Sequence, residues 1–148
     1  MTGRGRRWRN VPLPEAHVVG LLASGGLQAW RPWPLATDHP GAVLGGSLVG
    51  LGLVVVAWAV VAVGRQAVGS PTDLVTGGPY RYSRNPMYVG WTAIYVGVGL
   101  LSGVAWVAAL LPLVVVAVHV TVRREERRLE RRFGADYRDY VREVRRYV

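Results

Sequence analysis

Long uncharged stretches dominate the chain. From Ala42 to Gly64 run 23 residues rich in Val, Leu and Gly with no charge among them, enough to cross a hydrocarbon core of about 30 Å at about 1.5 Å per residue. From Asn85 to Val122 run 38 residues without Asp, Glu, Lys or Arg, too many for one ordinary span and suited to a helical hairpin that turns near Leu101-Ser102-Gly103. The pattern predicts spans over 87–101 and 104–122, the first short for a full crossing and the second kinked at Pro112. A weaker candidate covers 16–36, where Ala16 to Trp30 is uncharged but only 15 residues long and extension through Pro32 and Pro34 to Ala36 takes in Arg31. It could be the hydrophobic region of a signal peptide behind Arg4, Arg6, Arg7 and Arg9. No clear small-residue cleavage site follows, which favours a retained span.

After Val122 the pattern turns to Arg-Arg-Glu-Glu-Arg-Arg-Leu-Glu-Arg-Arg-Phe-Gly, and then Tyr137, Tyr140, Val141, Val144 and Val148 recur at helical spacing. Gly134 is expected to divide this tail into two helices, the first continuing the last span. The fold class expected is therefore an all-α integral membrane protein with about four transmembrane helices and a cytoplasmic C-terminal amphipathic helix. Its parts are a basic segment 1–15, expected to be disordered over its first ten residues, a transmembrane domain 16–122 interrupted by a loop 65–86, and C-terminal helices 123–148.

Composition sharpens this picture. The 51% hydrophobic content exceeds the usual share for a soluble domain, and the net charge of +9 comes from eighteen arginines and no lysine. Seventeen of the eighteen fall on one side of a four-span arrangement and Arg31 alone on the other, so the positive-inside rule places both termini in the cytoplasm. Arginine and alanine usage without lysine points to a GC-rich prokaryote, hence the inner or plasma membrane. Arginines flanking apolar runs fit anionic lipid headgroups as counter-ions and argue against nucleic acid. Cysteine is absent and His17, His39 and His119 are scattered, so no metal-ligand spacing exists.

The candidate chemistry lies in the segment Leu74-Val-Thr-Gly-Gly-Pro-Tyr-Arg-Tyr-Ser-Arg-Asn-Pro-Met-Tyr-Val-Gly-Trp91. Gly77-Gly78-Pro79 permits a tight turn that brings backbone close to a ligand. Asn85-Pro86 starts a helix, with Asn able to cap free amides. A plainer reading takes Tyr80, Tyr82, Tyr88 and Trp91 as an aromatic belt at the membrane interface. Likewise Glu125 and Glu126 read either as ligand anchors or as solvated partners of Arg128, Arg131 or Arg132.

The fragments Gly78-Pro79-Tyr80, Arg84-Asn85-Pro86-Met87-Tyr88-Val89-Gly90, Glu125-Glu126 and Phe133-Gly134-Ala135-Asp136-Tyr137 together resemble the isoprenylcysteine carboxyl methyltransferase and phospholipid methyltransferase superfamily. The resemblance covers about Leu74 to Val148. It implies an S-adenosylmethionine-dependent membrane methyltransferase with a cofactor loop at 65–86. The implied cofactor contacts are Leu74, Val75, Tyr80, Asn85, Pro86, Met87 and Tyr88, with Glu125 as the acidic anchor. Asn85, Arg84 and Arg124 are the residues expected at the reacting end. Asparagine at 85, where the prenylcysteine branch has histidine, is nearer the phosphatidylethanolamine branch.

The residue types suit the cofactor independently. Either glutamate can take its ammonium, Arg81 or Arg84 its carboxylate, and a tyrosine its adenine or sulfonium. The expected acceptor is a lipid-like or isoprenoid small molecule with a carboxylate, amine or thiol head, entering from between spans. Arg123 could orient an anionic head, and His119 could act as a proton acceptor, although a lone histidine near a span end is more often a packing residue. Two rival readings remain: an NADPH-dependent membrane reductase of a sterol- or isoprenoid-like substrate, and a small non-catalytic membrane scaffold.

Overall fold

The computed structural model describes residues 14–36, 38–69 and 74–148, with backbone only at 66–69. Nearly all of the basic segment 1–15 and part of the loop 65–86 lie outside the described residues. Those described form five α-helices and no strand: α1 (Glu15–Trp30), α2 (His39–Gly69), α3 (Pro86–Ser102), α4 (Ala105–Phe133) and α5 (Ala135–Glu143), with one 3₁₀ turn, Gly78–Arg81.

Two of these helices are long and apolar enough to cross a membrane: His39–Arg65 of α2, and α4. Only 11% of the apolar window of α2 and 28% of that of α4 is buried within the protein. A core helix of a soluble domain would hide most of its surface, whereas Val43, Leu44, Leu51, Leu53, Val54 and Val61 are exposed along α2. Lipid is the solvent that tolerates such a surface. Four spans were expected; α1 and α3 hold 16 and 17 residues, about 24–26 Å at about 1.5 Å per residue, the short end of what crosses a hydrocarbon core of about 30 Å.

Several boundaries differ from expectation for physical reasons. Helix α1 stops at Trp30 rather than near 36, because Pro32 and Pro34 cannot continue it. The chain beyond it runs extended and pairs with the α3–α4 turn, with Leu35 N–H donating to Gly103 O at 2.6 Å and Ala105 N–H to Trp33 O at 3.0 Å. That turn sits at Gly103, in the left-handed region at φ +63°, where glycine carries no Cβ penalty. Helix α4 passes through Pro112 to Phe133, and Gly134 at φ +57° separates it from α5. The helical spacing read to Val148 fails after Glu143. Val144 is extended, at φ −120° and ψ 132°, because the last residues bond to the loop before α3 instead of to their own turn.

Helices α2 and α3 pack backbone to backbone. A Cβ on Gly52 would meet Gly90 O at 2.6 Å, and one on Gly97 would meet Gly45 O at 2.6 Å. The seven-residue spacing, 45 to 52 and 90 to 97, keeps each small pair on one helix face. The apolar core lies between α3 and α4 and comprises Tyr88, Tyr95, Val107, Val114, Val118 and Val122, with Ala16 and Leu21 of α1 closing it. His17 of α1 enters this core, its Nε2 3.0 Å from Thr92 Oγ1. The core sets the N-terminal end of α3 against the point where α4 changes from apolar to charged.

Candidate functional site

The loop before α3 is shaped by one glycine. Gly78 sits at φ +62°, and a Cβ there would meet Ala62 Cβ at 3.1 Å and Trp58 Nε1 at 3.3 Å. The turn therefore lies directly on α2. Tyr82 and Ser83 donate their N–H groups to Pro79 O at 3.1 and 3.2 Å, closing the 3₁₀ turn and leaving Tyr80 half-buried and Pro79 buried. The Tyr140 hydroxyl of α5 donates to Tyr80 O at 2.7 Å and ties the turn to the C-terminal helix.

Asn85 precedes α3 but does not cap it with its side chain. The side chain is held elsewhere: Asn85 Nδ2 donates to Arg146 O at 3.1 Å. Ser83 Oγ accepts the Asn85 N–H at 3.2 Å, and Arg84 N–H donates to Arg145 O at 2.9 Å. The terminal residues thus run along the loop and fasten it.

The two adjacent glutamates of α4 point about 100° apart, as successive residues of a helix must. Glu125 accepts the Tyr88 hydroxyl at 3.1 Å, bridging α4 and the first turn of α3. It lies beyond the uncharged part of α4, which ends at Val122. Burial pushes its carboxyl above the usual glutamate range, against the opposing effects of the Tyr88 bond and the Arg128 charge. Burial, and then the Glu125 charge, push the Tyr80 phenol up to about 12, so Tyr80 stays neutral.

Glu126 faces the other way and is buried. Its Oε1 lies 3.1 Å from Arg84 Nη1 and its Oε2 2.9 Å from Arg146 Nη2, with Arg146 Nε also donating to Oε2 at 2.9 Å. The helical-spacing partners Arg128, Arg131 and Arg132 do not hold Glu126; residues 42 positions upstream and 20 downstream do. Of the cations considered for the cofactor carboxylate, Arg84 is committed to this pair and Arg81 is exposed.

The residues singled out from sequence therefore divide. Tyr80, Tyr88 and Glu125 come together. Pro86 and Met87 are buried in the first turn of α3, while Leu74 and Val75 are half-buried upstream of the turn. Arg84 and Asn85 turn toward the C-terminal residues. Arg124 is exposed on α4. His119 is half-buried, with Nδ1 3.0 Å from the Tyr147 hydroxyl, a partner from a segment that sequence reasoning had placed on a helix. Tyr140, Arg146 and Tyr147 were not anticipated at the site. No local spacing signals them, because each acts through a contact 20 to 60 residues away.

The family model for phospholipid methyltransferases matches residues 41–136, which include Tyr80, Tyr88 and both glutamates and stop before Tyr137. No curated protein and no solved structure matches the chain.

Proposed function

The chain belongs to the phospholipid methyltransferase family, and from that premise we propose S-adenosylmethionine-dependent methyl transfer to a lipid-like or isoprenoid acceptor at the cytoplasmic membrane face. The observation that carries this reading is the 3.1 Å Tyr88–Glu125 bond at the junction of α3 and α4. A carboxylate raised by burial is a desolvated anion that a cation would relieve. The Tyr88 ring beside it suits an ammonium or sulfonium. The donor set therefore fits the cofactor, which supplies a methyl group on a positively charged sulfur.

In this reading Glu125 holds the cationic part of the cofactor, Tyr88 fixes the orientation of that carboxylate, and Tyr80 forms a neutral wall beside it. Leu74, Val75, Pro86 and Met87 complete the apolar surround. Methyl transfer is an in-line displacement, so the chain's main task is alignment in a site sheltered from water. Arg84 and Asn85 serve as positioning residues that fasten the loop through Glu126 and the C-terminal residues. Arg124, two positions beyond the apolar stretch, stands at headgroup depth to meet the polar end of an acceptor. The arginine distribution supports a topology with both termini cytoplasmic, in a prokaryotic inner membrane.

The test is calorimetric binding by the detergent-purified full chain of S-adenosylmethionine, S-adenosylhomocysteine and NADPH, with Glu125→Ala and Tyr88→Ala as controls. Saturable binding of the two sulfur nucleosides that is lost in both variants is expected. Binding of NADPH alone would replace this reading with a reductase, and no binding of any of the three with a scaffold.

A further inference from the structure

A second polar concavity opens around Glu126, on the face of α4 turned away from the Tyr88–Glu125 bond. It is a groove of about 400 Å³ between α4 and α5, lined by six arginines (Arg84, Arg123, Arg127, Arg138, Arg142 and Arg146) against Glu126 and Glu130. Glu126 is already engaged by Arg84 and Arg146, and Arg142 pairs with Asp139 at 3.2 Å. Among the described residues Arg123, Arg127 and Arg138 have no ion-pair partner. Three atoms lining the groove are buried with no hydrogen-bond partner: the donors Arg84 Nε and the Tyr137 hydroxyl, and the acceptor Glu126 Oε1, whose charge is met by Arg84 Nη1 at 3.1 Å. The Arg84 side chain is 10% exposed and Tyr137 3%. Buried donors without acceptors are costly, and like charges converging on one groove repel. Both costs fall if an anion with several acceptor oxygens sits there.

Depth narrows the ligand. Arg123 follows directly on Val122, the last residue of the uncharged stretch, and Glu130 lies seven positions further on, about 10 Å along the helix. The groove therefore spans the layer that headgroups occupy beside the hydrocarbon core. Guanidinium forks match phosphate oxygens in pairs, and arginines at this depth attract anionic lipid. Its wall from Tyr137 to Arg146, formed by α5 and the residues after it, lies outside the residues matched by the family model. We propose that this groove is a phosphate-binding site that takes the headgroup of an anionic phospholipid, separate from the Tyr88–Glu125 site and independent of methyl transfer.

The experiment measures binding of fluorescent short-chain phosphatidylglycerol to the detergent-purified full chain, with phosphatidylcholine and inorganic phosphate as further probes. Arg138→Gln/Arg142→Gln removes two exposed groove cations, and Arg131→Gln/Arg132→Gln removes the same charge from α4 outside the groove. Arg123→Gln serves as a second groove variant from the other wall, and thermal unfolding checks that each protein folds. Saturable phosphatidylglycerol binding, weakened roughly 25-fold by the groove pair and about twofold or less by the control, is expected if each arginine near a surface contributes about fivefold. Binding of inorganic phosphate with the same groove dependence, but not of the lipid, would keep the phosphate site and assign it a soluble ligand. Equal losses in both double variants, no saturable binding of either phosphate probe, or displacement by S-adenosylhomocysteine would overturn the proposal.

Discussion

Glu126→Gln isolates the buried ion triad that joins the loop, α4 and the C-terminal residues. Glutamine keeps the shape and one acceptor but removes the charge facing Arg84 at 3.1 Å and Arg146 at 2.9 Å. Exposure decides how the loss divides. The Arg84 and Glu126 side chains are 10% and 11% exposed, so Arg84 would be stranded, whereas Arg146 is 37% exposed and water replaces most of what it loses. Removing one partner of a buried pair costs about 3–5 kcal/mol. The retained acceptor points to the lower end, about 3 kcal/mol, with Arg146 contributing under about 1 kcal/mol. For a chain of this size that corresponds to a fall in melting temperature of roughly 6–12 °C. The assay is thermal unfolding followed by tryptophan fluorescence in detergent, with amide exchange at Val144–Val148 as a local readout. Adding Arg84→Met should return at least about half of the loss, because the stranded charge is its main source. A fall under about 2 °C, or no recovery in the double variant, would refute the reasoning.

Other consequences are equally specific. The Glu125 carboxyl is raised by burial, so binding of a cationic cofactor that needs its charged form should decline as pH falls through a midpoint above the ordinary glutamate value of about 4.3. A pH titration of binding should lose that limb in Glu125→Gln. Tyr88→Phe removes a hydrogen bond that lowers this carboxyl, so its limb should move to still higher pH; a shift to lower pH would contradict the pairing. Gly52→Val should cost about 1–3 kcal/mol or more in thermal unfolding, since its first added carbon meets Gly90 O at 2.6 Å and Ile94 Cγ1 at 2.7 Å. Gly46→Ala, with nothing within 4 Å of its added carbon, should instead stabilise by up to about 1 kcal/mol through helix propensity. Asn85→Ala deletes the bond to Arg146 O at 3.1 Å and should speed amide exchange in the last five residues by an amount equivalent to about 1 kcal/mol.

The chain's own order of residues settles what is local. Uncharged runs long enough for a bilayer mark α2 and α4, Gly103 and Gly134 mark where helices must break, and the Tyr80 to Tyr88 segment with Glu125 marks the candidate site. Each follows from composition over a window or from the geometry of one residue. The helical spacing of Val144 and Val148 misled because periodicity reports only what a helix would bury, not whether another backbone offers better partners. Asn85 misled likewise: a cap would place its side-chain oxygen on the first free amides of α3, whereas the side chain is held at the C-terminal residues through the Arg146 carbonyl. The division of labour between Glu125 and Glu126 is a tertiary decision. Both sit on one helix with arginines at matching intervals, and only the packing of α3 and the return of the C-terminal residues send one carboxylate to Tyr88 and the other to Arg84 and Arg146. The arginine groove has the same origin. Its charges are plain in the sequence, but their convergence depends on α5 folding back along α4 from Gly134, a long-range arrangement that no local pattern encodes.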